Sequence, residues 1–276
     1  LYHAGVKKLW RFSLFCGLAA SLSIVSSCGG SPILGGGVSP VLGTHWAYEG
    51  EVGPRHWAEL APDFAPCSDG QKQSPIDLTK PTLTDLTNLK FFYQPSKLNV
   101  VNNGHTIQQT YDAGSYIELD GVRYDLLQFH FHSPSEHTIN GHYAEAEVHL
   151  VHKSTDGKLA VVGIMIETGA ENAAIKVISD RYDDLILSGP TVASSVTLNA
   201  TALLPTGQQT FRYEGSLTTP PCTEGVKWNV MVDPIHMSSA QLDGMKHLHE
   251  DNNRPPQSLN GRPLLEDSTR ARKRNF

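Results

Sequence analysis

The chain has 276 residues, with 28 acidic against 22 basic side chains and a net charge of −6 when histidine is neutral. That length suits one large domain, and the lack of a long basic block in its middle argues against nucleic acid as a partner. The basic run at 270–274 is short enough to be a solvated end.

In chain order the first element is a targeting segment. Lys7, Lys8 and Arg11 precede an apolar run of about 14 residues at 12–25, short of the roughly 20 needed to cross a bilayer. Val25-Ser26-Ser27-Cys28 resembles a bacterial lipobox, in which the cysteine is lipidated and becomes the mature N-terminus. Residues 1–28 therefore read as a signal peptide of lipoprotein type, with ordinary secretion as the alternative. The expected location is the periplasm or cell envelope, with membrane attachment through a lipid on Cys28. Residues 29–43, rich in Gly, Pro and Ser, cannot bury a core and suit a flexible tether with a reach on the order of 20 Å.

Export decides how the cysteines read. Cys16 falls in the apolar run and Cys28 in the lipobox, which leaves Cys67 and Cys222 for the folded part. In an oxidising compartment such a pair favours a disulfide. The bridge would hold the loop after Pro220-Pro221 against the N-terminal part of the domain.

The folded domain is expected over 44–265, followed by a polar tail at 266–276. Its first residues, 45–57, are aromatic and turn-rich and suit an N-terminal cover. Strand-type runs follow at 98–101, 105–111, 116–119, 122–131 and 159–167. Asn102-Asn103-Gly104, Asp112-Ala113-Gly114 and Asp120-Gly121 separate the first four, which predicts a mainly β, largely antiparallel domain. One helix is predicted over 173–187 from Ala174, Val177, Ile178 and Leu185, ended by Pro190. Another is predicted behind Ser238-Ser239-Ala240-Gln241, which resembles a capping box, with Leu242, Met245 and Leu248 on one face.

The chemistry concentrates in Gln128-Phe129-His130-Phe131-His132. On a strand the side chains alternate, so both histidines face one way and both phenylalanines the other. His149, in Glu147-Val148-His149-Leu150-Val151-His152, lies 17 residues after His132 in a second alternating run. Asn140-Gly141 between the runs suits a turn, so adjacent strands would bring three imidazoles to one point. Three protein ligands leave the fourth position of zinc open, the catalytic arrangement. A lone His-x-His pair is equally what hydrogen-bonded core or surface histidines produce. The third histidine favours metal, as do Gln128 and Glu147, each two residues before a ligand and able to accept its second ring N–H.

Several motifs together carry a family resemblance. They are Gln128-Phe129-His130-Phe131-His132, Ser135-Glu136-His137, Ala146-Glu147-Val148-His149-Leu150-Val151-His152 and Gly215-Ser216-Leu217-Thr218-Thr219-Pro220-Pro221-Cys222. Gln73-Ser74-Pro75-Ile76-Asp77 and Asn253-Arg254-Pro255-Pro256-Gln257 fit the same pattern. In this order they resemble an α-class carbonic anhydrase over about 45–265. The paired cysteines and Phe131-His132-Ser133-Pro134 resemble bacterial members, because animal enzymes typically carry tryptophan after the second histidine.

The resemblance implies a central, twisted, mostly antiparallel sheet of about ten strands with short peripheral helices. It implies zinc on His130, His132 and His149 at the base of a cone-shaped cleft. The reaction would be reversible hydration of carbon dioxide to bicarbonate and a proton, by attack of zinc-bound hydroxide. Glu136 and Thr218 would orient the hydroxide. Val151, Val161, Leu217, Thr219 and Trp228 would line the substrate pocket. His105 would shuttle protons, with Tyr48, Asn103, Gln108 and Thr219 ordering the connecting waters. A homodimer is left open. Binding proteins of this family that lack hydratase activity typically lose a zinc histidine, and here all three positions are filled. A zinc peptidase is disfavoured by the lack of a His-Glu-x-x-His motif.

Overall fold

The computed structural model describes residues 44–187 and 189–268. The expected export segment, Cys28, the 29–43 tether and the end of the polar tail lie outside the described residues.

Five strands come first: β1 (Thr82–Thr84), β2 (Lys90–Phe92), β3 (Ser96–Asn102), β4 (Ile107–Thr110) and β5 (Tyr116–Leu119). The long β6 (Val122–His132) leads into a small hairpin, β7 (Thr138–Ile139) and β8 (His142–Tyr143), and then to β9 (Ala146–Ser154) and β10 (Leu159–Thr168). The set ends with β11 (Thr191–Leu198), β12 (Thr210–Ser216), β13 (Glu224–Met231), β14 (Ile235–Met237) and β15 (Leu265–Asp267). Thirteen of these form one sheet, whose main path runs β1-β15-β12-β13-β10-β9-β6-β4-β3-β11. Most pairings are antiparallel, while β1 with β15 and β10 with β13 and β14 are parallel. The expected mainly β architecture is therefore present.

Turn chemistry explains the connections. Asp120 and Gly121 have φ of 52° and 78°, and Asn140 and Gly141 have 51° and 80°. Two successive positive-φ residues give a turn whose twist matches that of the flanking strands, which is why Asp-Gly and Asn-Gly serve there.

The sheet separates two apolar clusters. Phe129, Phe131, Val148, Leu150, Val162 and Ile164 pack on one side with the helices. Val161, Met165, Tyr213, Val226, Trp228 and Val230 pack on the other. The helices are α1 (Trp57–Leu60), α2 (Pro66–Asp69), α3 (Ala173–Ser179), α4 (Tyr182–Leu187) and α5 (Ser239–Leu248). The capping box on α5 is formed in full by Ser238 and Gln241.

The structure corrects two boundaries. The single helix expected over 173–187 is broken into α3 and α4. Arg181 N donates to Ile178 O at 2.9 Å, an i−3 bond that tightens the chain at the junction. The break sets Tyr182 over Gly244 of α5, where a Cβ would come within 2.7 Å of the tyrosine ring. At the C-terminus, β15 continues to Asp267, which is buried, so the sheet extends two residues into the expected tail.

Cys67 and Cys222 are joined as a disulfide across 155 residues of sequence. With Trp57 they form a small third core, against which Trp46 and Tyr48 pack, so residues 45–57 do form a cover. On the chain-entropy model, closing a loop of that length contributes about 5 kcal/mol.

Candidate active site

Strand register assembles the site. In the β6–β9 pair, His130 lies directly opposite His149 and His132 opposite Glu147. Because side chains alternate, His130, His132, Glu147, His149 and Val151 all face the side of the second cluster. One ring nitrogen of each histidine is thereby brought to a common point: ligand atoms from His130, His132 and His149 lie within 4.8 Å of one another.

Each imidazole has one nitrogen engaged. His130 Nδ1 is 2.8 Å from Gln128 Oε1, and His132 Nδ1 is 2.7 Å from the main-chain oxygen of Asn252. His149 Nε2 lies 2.9 Å from Glu147 Oε1, a close contact without the alignment of a full hydrogen bond. The second nitrogens, Nε2, Nε2 and Nδ1, remain for a shared ion. Buried His132 Nε2 and Glu136 Oε2 have no hydrogen-bond partner, and such orphaned polar atoms are costly unless something satisfies them. Three imidazoles with no carboxylate among them suit a divalent ion of the zinc type. A second group, His137, Glu147 and His149, is equally tight. Both nitrogens of its His137 are already committed to Glu147 and Tyr213, so it reads as a hydrogen-bonded relay.

Gly163 makes room for this arrangement. It sits opposite His149 on β10, and a Cβ there would lie 2.8 Å from Glu147 Oε1. Only a glycine lets that carboxylate stand between the strands.

Electrostatics follow from burial. Desolvation pushes His130 well below the ordinary imidazole value and His132 to about 4, and lowers His149 as well. All three are thus held in the neutral form that ligates metal. Burial would raise Glu147, but the ring nitrogens of His137 and His149 that face it hold its carboxyl well below the usual carboxylate range. Burial raises Glu136 to about 7, with His149, the Arg254 N–H and the Thr218 hydroxyl pulling the other way. Arg254 N donates to Glu136 Oε1 at 2.9 Å. Thr218 is close enough to influence that carboxyl, although no hydrogen bond of full geometry joins Glu136 Oε2 to it.

The other expected residues lie on neighbouring strands and loops. Val151, Val161 and Trp228 are cross-strand neighbours in one row, and Leu217 packs against the same cluster. Thr218 and Thr219 lie in a loop closed by Leu217 N to Thr223 O at 3.0 Å and by Cys222 N to Thr219 O at 2.8 Å. Gln108 pairs with His130 across β4 and β6. Tyr48 is half-buried, and its hydroxyl is raised well above the usual value by burial and by the charge of Glu136. His105 is stacked on Trp46 with ring centroids 3.7 Å apart. Asn103 Oδ1 accepts from His105 N and Thr106 N, which leaves its amide NH2 for other partners.

Sequence reasoning missed two participants. Asn252 bridges the site, since its oxygen takes His132 Nδ1 while its Nδ2 donates to His105 O at 3.0 Å. A main-chain acceptor leaves no residue-type signature. His137 was visible inside Ser135-Glu136-His137, and its buried contact with Glu147 gives it a place beside the ligands.

Comparison with known proteins agrees with this geometry. The model of the eukaryotic-type carbonic anhydrase family matches residues 52–268. The chain belongs to that family. A carbonic anhydrase of Nostoc sp. is 42% identical over 227 residues, covering 80% of this chain and 86% of the relative. One from Klebsiella pneumoniae is 42% identical over 229 residues, covering 82% and 92%. Among solved structures, a hyperthermostable carbonic anhydrase from a hydrothermal vent chimney superposes with a TM-score of 0.77 at 43% identity, covering 81% of this chain and all of that one. The α-carbonic anhydrase of Thermovibrio ammonificans, in complex with sulfanilamide, gives 0.76 at 38% identity, covering 81% and 99%. The chain is accordingly a carbonate dehydratase, a lyase.

Proposed function

We propose that this carbonic anhydrase works through a zinc ion on His130, His132 and His149, with His105 carrying the proton out. The observation behind this is the shared point of three histidines, each with one nitrogen engaged, beside the unpartnered His132 Nε2 and Glu136 Oε2. Zinc, when bound, supplies a +2 charge and an open coordination position where water ionises near neutral pH, for which carbonic anhydrase is itself the standard example.

The chain's own groups do the rest. An ionised Glu136 only accepts hydrogen bonds, so Thr218 donates to it and has only acceptor capacity left for the site. That fixes the orientation of the group that attacks carbon dioxide. The substrate has no net charge or dipole, and the apolar row of Val151, Val161, Leu217 and Trp228 offers it no competing polar group, with Thr219 at the edge. Gln128 and Glu147 fix the rings of His130 and His149. His105, whose imidazole is lowered from its ordinary value by burial and by His45 and so is free to accept, takes the released proton through water ordered by Tyr48, Asn103, Gln108 and Thr219. Export is supported by the disulfide. In this reading residues 1–28 direct it, Cys28 carries a lipid, 29–43 form the tether and 44–267 the catalytic domain. A homodimer remains the assembly to test by mass measurement.

Stripping the protein with a chelator is expected to abolish carbon dioxide hydration, and zinc alone to restore it. Undiminished hydration in a preparation shown to be free of metal would refute the zinc assignment.

A further inference from the structure

The turn between β3 and β4 carries His105 and is closed by hydrogen bonds of its own. Asn103 Oδ1 accepts from His105 N and Thr106 N, and Asn103 N donates to Thr106 O at 3.2 Å. Gly104, at a φ of 88°, donates its N–H to Asn102 Oδ1 at 3.0 Å. Asn103 and Gly104 are exposed, and a turn that protrudes in this way needs ties to the body of the protein to keep one orientation. Asn252 Nδ2 and the ring of Trp46 supply two such ties, both on His105. We propose that His249, at the end of α5, supplies a third as a positioning residue: its ring N–H grips the Asn102 side chain and so keeps His105 aimed for proton transfer. This role rests on the shuttle reading above.

Counting donors sets the direction of that contact. A main-chain N–H can only donate, so the Asn102 atom facing Gly104 N is the carbonyl oxygen. His249 Nε2 lies 2.7 Å from the same oxygen and must therefore carry hydrogen. Both lone pairs of Asn102 Oδ1 are then used, one for the helix end and one for the residue before His105. The support behind His249 is firm. Leu242 and Met245 of α5 are buried, and the capping box at the other end of the helix is complete. His249 N donates to Met245 O at 3.0 Å, and the extended backbone of His249, with φ −150° and ψ 96°, takes its side chain off the helix.

Electrostatics suit the same role. Burial and the neighbouring His105 hold His249 down to about 4, so its ring is uncharged at neutral pH. It keeps one N–H for Asn102 and does not compete with His105 for the proton. It also sets no positive charge against a proton arriving on His105. A lysine there could reach for the same oxygen, but its charge would repel the protonated carrier.

Stopped-flow carbon dioxide hydration by the full chain separates the two steps at issue. The ratio kcat/KM covers capture and conversion of the substrate, while kcat in dilute buffer also includes export of the proton. His249→Leu keeps bulk at the helix end and removes the N–H, whereas His249→Gln carries an amide N–H in nearly the same place. The expected result for His249→Leu is a kcat in dilute buffer lowered about threefold or more, an unchanged kcat/KM, and recovery with imidazole-type buffer. His249→Gln should keep most of the parent's kcat, and His249→Leu should cost nothing further in a His105→Ala background. Parent-like kcat in His249→Leu would overturn the proposal, as would an equal fall in kcat and kcat/KM, which is the mark of a merely structural role. The same loss in His249→Gln, or an added loss on top of His105→Ala, would overturn it too. If His249→Leu fails to fold, His249→Ala is measured in its place and read the same way. A parent-like kcat in His105→Ala alone would overturn the shuttle reading itself.

Discussion

His105 and Trp46 lie almost parallel, 6° apart in plane. Stacking holds the imidazole against the N-terminal cover, and burial with the facing His45 lowers its pKa from the ordinary value, which favours the neutral form. His105→Ala is expected to slow carbon dioxide hydration about tenfold or more in dilute buffer and to recover with imidazole-type buffers. A variant as fast as the parent in dilute buffer would remove His105 from the proton path. At this scale much was legible. The i, i+2 spacing places Gln128 beside His130 and Glu147 beside His149, and both contacts are present. Asn252 was not legible, because its main-chain carbonyl would serve with almost any side chain attached. Gly163 was also silent, since its value is the absence of a Cβ near a carboxylate contributed by the neighbouring strand.

Strand β9 shows how one element serves both faces of the sheet. His149 faces the metal point. His152, three residues on, faces the opposite core, where its Nε2 meets Tyr93 Oη at 2.8 Å and its Nδ1 has no partner. Desolvation lowers His152 from 6.5 to about 3. The folded state therefore binds fewer protons than the unfolded chain between those values, and stability falls as pH drops through this window. The loss from His152 alone is about 2 kcal/mol at about pH 5 and approaches about 4 kcal/mol toward pH 3. Urea unfolding should lose less stability between about pH 7 and about pH 5 in His152→Gln than in the parent. Equal losses would show that this histidine does not set acid sensitivity. Alternation and turn residues announced β3 to β6 and the hairpin at Asn140-Gly141. Parallel pairing of β10 with β13 left no local trace, because the partners are far apart in sequence. The break between α3 and α4 was hidden for a related reason. The apolar spacing is continuous, and the break depends on Tyr182 meeting Gly244 of another helix.

Across the whole molecule, the site depends on distant segments being locked together. Buried Arg254 donates from its guanidinium to Gln73 Oε1, Ser74 O and Cys67 O, and from its main-chain N to Glu136. With the disulfide, it fastens the N-terminal cover, the Thr218 loop and the C-terminal segment around the three histidines. These ties explain why motifs scattered from Gln73 to Gln257 had to be taken together: each alone is ordinary, and the order signals the family. The central claim is that three imidazoles from two neighbouring strands hold a zinc ion that makes the chain a hydratase. Stopped-flow carbon dioxide hydration, with zinc content measured on the same samples of the parent and His149→Ala, tests it most directly. The expected result is stoichiometric zinc with rapid hydration in the parent and loss of both in the variant; full zinc without hydration in the parent, or unchanged zinc and rate in His149→Ala, would contradict it.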